Sequence, residues 1–177
     1  MSTALLIVDV QQALADALKP ARRAEFLYTL NYLITRARAA GAPVVYIRHA
    51  DDELVPNTTG WEIAGEIAPR PSDAIVEKRY RDAFRETDLQ QILSGLGVHH
   101  VVLCGMQTEF CVDWTMREAE RRGYRVTLAA DGTATYPVDG ATEEQIRDQV
   151  HRVVRGKVAE IVPSADLFAD TADAVET

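Results

Sequence analysis

The sequence predicts an α/β domain in which helices cover both faces of a right-handed, doubly wound parallel sheet. Two observations carry this. Six short apolar runs recur along the 177 residues, and segments with helical spacing and recognisable ends separate them. Several runs are almost continuously apolar instead of alternating, which marks strands covered on both faces.

In chain order, the first strand is predicted over residues 4–10 (ALLIVDV). Pro20 suits a first helical turn. Phe26, Leu27, Leu30, Leu33, Ile34 and Ala37 then recur at helical spacing, and Gly41 follows as a stop. The second strand is predicted over 43–48 (PVVYIR) and the third over 74–77 (AIVE). Thr87-x-x-Gln90 matches a capping box, in which side chains satisfy the free amides of a helix start. After a fourth strand over 100–105 (HVVLCG), Thr108 is expected to cap a helix with Val112, Met116 and Ala119 inward and Gly123 near its end. A fifth strand over 125–130, a second capping box at Thr142-x-x-Gln145 and a sixth strand over 158–162 complete the pattern. The connections over 50–73 and 131–141 are too long for simple turns, so both are expected to form lids or pocket walls. A short helix is expected around 61–67 within the first.

With 47% hydrophobic residues, a chain of this length can bury a core unaided, so one domain over 1–177 is expected. Lys and Arg number 19 against 27 Asp and Glu, a net charge of −8. That balance disfavours nucleic acid, which needs cationic neutralisation, and anionic membrane surfaces. Apolar structure begins at Ala4, leaving no room for a leader, and no apolar run approaches the roughly 20 residues of a membrane span. A cytoplasmic protein acting on a small molecule is the expectation, with neither nucleic acid nor membrane as partner. Cys104, inside an apolar strand, reads as a small buried hydrophobe. Compartment and geometry argue against a Cys104–Cys111 disulfide, which leaves Cys111 as a metal ligand or a nucleophile.

Open parallel sheets bind ligands beyond the carboxyl ends of their strands. Asp9, Lys78 and Cys111 all fall on that rim although they are distant in sequence. Cys111 is placed in the first turn of the predicted helix, where free amides and the helix dipole favour a thiolate, and the Lys78 ammonium would lower its pKa further. The Asp9 carboxylate could accept the thiol proton and deliver it to a leaving amine. The turn from Gly105 to Thr108 offers backbone amides to an oxyanion. Each residue also has a structural reading. The cysteine could be a buried hydrophobe, Asp9 a strand-end acceptor, and Lys78 part of a solvated run with Arg79, Arg81 and Arg85. Among the histidines only His49, at the end of the second strand, is placed to touch substrate; His99, His100 and His151 fall at loop or surface positions. Trp61, Phe110 and Tyr136 suit a core as well as a pocket. Gly95-Leu96-Gly97 lacks a third glycine and precedes a strand, so it is no dinucleotide fingerprint, and no phosphate loop, serine elbow or zinc helix motif occurs. No cofactor is implied.

These residues resemble the isochorismatase-like cysteine hydrolases, a family that includes nicotinamidases and N-carbamoylsarcosine amidases. The resemblance covers nearly the whole chain. It is carried by LLIVDVQ at 5–11, VEKRYRDAF at 76–84 and CGMQTEFCV at 104–112. It implies a three-layer α/β/α fold with a six-stranded parallel sheet in order 3-2-1-4-5-6, and a homodimer or larger homo-oligomer. It further implies Asp9, Lys78 and Cys111 as catalytic residues, a cis peptide between Met106 and Gln107, and an oxyanion hole from the amides of Gln107 and Cys111. The implied activity is cleavage of a C–N bond in a small amide-like substrate through a thioester. Vinyl ether hydrolysis with Cys111 as spectator and a non-catalytic partner-binding role are the alternatives. The sequence departs from the metal-binding branch, whose Asp-x-His pair is replaced by Arg48-His49-Ala50-Asp51-Asp52, so no metal is expected. Trp114 stands where many relatives carry a small polar residue, which points to a changed pocket or interface.

Overall fold

The structure is a computed structural model that describes residues 2–169; Met1 and residues 170–177, part of the predicted single domain, lie outside the described residues. Six strands, β1 (Ser2–Val8), β2 (Val44–His49), β3 (Ala74–Lys78), β4 (Val98–Met106), β5 (Arg125–Ala134) and β6 (Glu160–Val162), form one sheet in the order 3-2-1-4-5-6. All neighbouring pairs are parallel. Among the described residues five α-helices accompany them: α1 (Gln12–Asp16), α2 (Pro20–Ala39), α3 (Leu89–Gly95), α4 (Asp113–Arg121) and α5 (Glu143–Val154).

The alternation of β1 sorts the core into two layers. Leu5 and Ile7 pack with Phe26, Leu30 and Leu33 of α2 on one face. Leu6 and Val8 pack with Leu89 and Leu93 of α3 and Met116 and Ala119 of α4 on the other. Both faces are therefore buried, as a parallel sheet requires. All six apolar positions predicted for the long helix are buried in α2. Among the described residues no helix is long and apolar enough to cross a membrane.

Several expected boundaries differ. The first strand stops at Val8, because Asp9 turns the chain out of the sheet with φ of +50°. The fifth strand runs four residues further than expected. An irregular register between Leu103 and Gly105 re-pairs the extension as Gly105 with Thr133 and Met106 with Ala134. Thr142 forms the expected capping box with Gln145, but Thr87 forms none and accepts only the Leu89 amide at 3.3 Å. Asp88 stands at the N-cap of α3 without a side-chain bond, while the Thr87 hydroxyl donates to the Ala83 carbonyl at 2.6 Å. Thr108 likewise lies inside a π-helical turn, Thr108–Val112, that runs into α4. Its hydroxyl bonds Thr133 at 2.9 Å instead of capping. The helix expected around 61–67 is only a 3₁₀ turn at Gly65–Ile67, and α1 was not anticipated.

Gly105 fixes how closely β4 approaches β1 at the rim. Its φ is +122°, and a Cβ there would lie 2.1 Å from the Val8 carbonyl oxygen, so only glycine fits. Asp9, which follows β1, and the 106–107 pair at the end of β4 are thereby held side by side.

Candidate active site

Three strand ends and one helical turn meet at a cavity of about 430 Å³ bordered by Asp9, His49, Met106, Gln107, Phe110 and Cys111. Asp9 follows β1, His49 and Lys78 end β2 and β3 as register partners, and Cys111 lies in the turn between β4 and α4. Lys78 is 1% exposed and Asp9 2%. A buried ammonium needs compensation, and the Asp9 Oδ2 supplies it at 2.8 Å. Lys78 Nζ also donates to the Tyr80 carbonyl at 3.0 Å and to Cys111 Sγ at 3.3 Å. The acid, the ammonium and the sulfur predicted to converge therefore do so, and none belongs to a solvated run. The other Asp9 oxygen, Oδ1, is buried with no hydrogen-bond partner among the described residues.

The protonation expected for the sulfur needs correction. Burial, first, and the Asp9 carboxylate push the Cys111 thiol up to about 12, and Lys78 offsets only part of this. Desolvation thus outweighs one ammonium already shared with an anion and favours the thiol. Cys104 is buried in β4 and also unpaired.

His49 lies at the cavity, with Lys78 Nζ 3.1 Å from its Nδ1 and Asp51 Oδ2 3.2 Å from its Nε2. Burial and then Lys78 lower its pKa below that of an ordinary histidine. Asp51 is held as an anion mainly by the Leu54 amide, with help from the Glu53 amide and His49. Gln11 went unassigned in the sequence, yet it is fully buried. Its Oε1 accepts from the His49 amide at 2.8 Å, and its Nε2 donates to the carbonyls of His49 at 2.8 Å and Trp61 at 2.9 Å. The signal was available: a glutamine directly after an apolar strand must find partners if buried.

The Met106–Gln107 peptide is cis, and both residues border the cavity. Phe110 is a cavity wall and carries the Arg81 guanidinium 4.4 Å above its ring. Trp61 instead packs with Ala50 and Leu54 beneath the first long connection, its ring covered by Arg48 at 3.4 Å. Tyr136 donates its hydroxyl to the Leu14 carbonyl at 2.6 Å. That first connection contributes Asp51, Glu53 and Leu54 to the cavity, whereas 131–141 contributes nothing to its lining; its first residues are strand. Trp114 is 52% exposed and borders a neighbouring groove with Tyr80, Arg81 and Arg85 instead of the cavity. His100 is not a simple surface residue, being half-buried between the hydroxyls of Thr3 at 3.1 Å and Thr127 at 2.8 Å. His151 is half-buried on α5. Among the described residues no cluster of three or more His, Cys, Asp or Glu is arranged to hold a metal.

The isochorismatase domain family matches residues 3–165. The chain belongs to that family. It is 37% identical over 161 residues to a streptothricin hydrolase of Streptomyces noursei, covering 89% of this chain and 63% of that protein. The chain thus spans less than two thirds of the length of that relative. Nicotinamidase 3 of Arabidopsis thaliana is 33% identical over 153 residues, covering 75% of this chain and 73% of its own. Among solved structures, the N-carbamoylsarcosine amidase of Thermoplasma acidophilum superposes with a TM-score of 0.80 at 27% identity, covering 94% of this chain and 99% of that one.

Proposed function

We propose that this family member is a cysteine hydrolase that cleaves a carbon–nitrogen bond in a small amide-like molecule through a thioester on Cys111. The observation that carries the proposal is the Lys78 ammonium in contact with both the Asp9 carboxylate and the Cys111 sulfur, beside a cavity large enough for a small substrate. Relatives named for hydrolysing streptothricin, nicotinamide and N-carbamoylsarcosine support the reaction class.

Since burial favours the thiol, the thiolate forms as the substrate is attacked. Asp9 takes the thiol proton, the sulfur bonds the carbonyl carbon, and the carbonyl electron pair moves onto oxygen. The amides of Gln107 and Cys111 hold that oxyanion, and Lys78 balances the single negative charge that passes from Asp9 to the sulfur and on to the oxyanion. When the tetrahedral intermediate collapses, the C–N bond breaks and the nitrogen leaves with the proton from Asp9. Water then gives a proton to Asp9 and attacks the thioester. The C–S bond breaks, the acid departs, and the sulfur recovers its proton.

The raised thiol pKa is the one observation that favours the alternative, in which Asp9 protonates a vinyl ether and Cys111 is a spectator. A screen of small amides with ammonia detection, with Cys111→Ala as control, tests the proposal. Ammonia release that depends on the sulfur supports it, and full turnover by the variant sinks it.

A further inference from the structure

Four acceptors surround the three protons of the Lys78 ammonium: Asp9 Oδ2 at 2.8 Å, the Tyr80 carbonyl at 3.0 Å, His49 Nδ1 at 3.1 Å and Cys111 Sγ at 3.3 Å. A protonated amine has no lone pair, so the His49 contact exists only if Nδ1 is unprotonated and accepts. The ring proton of a neutral His49 then sits on Nε2, facing Asp51 Oδ2 at 3.2 Å. Asp51 is fixed for this task, since its Oδ1 accepts from the amides of Leu54 at 2.7 Å and Glu53 at 2.9 Å. The imidazole backbone is fixed as well, clamped on both sides by Gln11, and Ala50 N donates to the Lys78 carbonyl at 2.9 Å.

We infer that His49 is a positioning residue which, as the Nε2–H tautomer selected by Asp51, holds the Lys78 ammonium against the Cys111 sulfur, and that protonation of His49 releases this hold. A proton on Nδ1 would set N–H against N–H at 3.1 Å and add a second positive charge beside the first. Lys78 would then lose its third anchor and shift toward Asp9 and Tyr80, away from the sulfur. The groups facing His49 are Lys78 from β3, Asp9 after β1 and Asp51 from its own connection, with Glu53, Arg81 and Cys111 across the cavity. Of these, Lys78 opposes protonation while Asp9 and Asp51 favour it, and burial tips the balance, so the neutral ring persists to a pH below 6.5.

This inference rests on the reading of Cys111 as the nucleophile, and the two can fail separately. The probe is iodoacetamide, with the pH dependence of alkylation at Cys111 followed by peptide mass spectrometry. His49→Leu removes the acceptor and is expected to slow alkylation about tenfold where His49 is neutral, the loss of one hydrogen bond to a charged group, and to change it little in acid, where the hold is already released. His49→Asn places a non-titrating carbonyl oxygen where Nδ1 stood; it is expected to recover part of that loss and to shift the acidic limb of the profile to lower pH. In the unmodified protein, ¹⁵N shifts of the His49 ring are expected to show Nε2 protonated and Nδ1 bare, a reading that does not depend on any variant folding. An unchanged acidic limb in His49→Asn, or a proton found on Nδ1 at neutral pH, overturns the inference. Full turnover of an amide substrate by Cys111→Ala overturns the nucleophile reading instead.

Discussion

The ammonium of Lys78 donates to the sulfur of Cys111 at 3.3 Å while its other contacts anchor it to Asp9 after β1, to His49 at the end of β2 and to its own loop. The cation proposed for catalysis is thus also a structural one, so its loss should act on both rate and stability.

Lys78→Met leaves the Asp9 carboxylate buried and unpaired, and Asp9→Asn does the same to Lys78. Either single change is expected to destabilise the fold by about 3–5 kcal/mol. The double variant should recover part of that loss, because no charge is then stranded. Denaturant midpoints for the cycle measure this. Asp9→Asn should also lower kcat by about 10²–10⁴-fold through loss of proton transfer.

Gln11→Ala removes three hydrogen bonds that tie His49 and Trp61 to the first strand end. A cost of about 2–3 kcal/mol is expected from the unsatisfied backbone groups, with a fall in Cys111 reactivity because His49 is no longer clamped. Urea unfolding and alkylation rates check the two effects independently.

Gly105→Ala forces a Cβ to 2.1 Å from the Val8 carbonyl at a φ of +122°. Destabilisation of about 3 kcal/mol or more is expected. Gly41→Ala, also at positive φ but with nothing within 4 Å of its Cβ, should cost only about 1 kcal/mol of backbone strain.

Acid should weaken the fold in the upper acidic range. His49, His100 and His151 each have a pKa below the 6.5 of an unfolded chain, with burial the first cause in every case. The unfolded state therefore binds more protons between those values. The stability these neutral rings contribute is complete above about pH 6.5 and is lost as pH falls through their folded pKa values. Thermal unfolding between pH 7.5 and 5 follows this loss.

Much of the fold was legible because buried parallel strands leave continuous apolar runs, as in Leu5, Leu6, Ile7 and Val8, and because α2 keeps its inward face at helical spacing. Strand ends were less so. Asp131-Gly132 was expected to open the second long connection, yet both lie in β5, and at Gly132 a side chain would meet Ala129, Leu33 and Cys104, a tertiary contact invisible to local pattern. The site's members were legible from their positions after strands, but the charge on Cys111 was not. A helix start suggests a thiolate, whereas the depth of burial, which decides the outcome, depends on how residues 106–112 pack. Asp51 and Gln11 were passed over for the same reason: their importance lies in which atoms of His49 they face.

The proposed thioester on Cys111 is tested most directly by intact-protein mass spectrometry of the protein quenched during turnover of an amide substrate. An acyl adduct that maps to Cys111, is absent from Cys111→Ala and disappears once substrate is exhausted is the expected result. Steady product formation by a Cys111→Ala protein at the rate of the unaltered chain, with no adduct at any quench time, would contradict it.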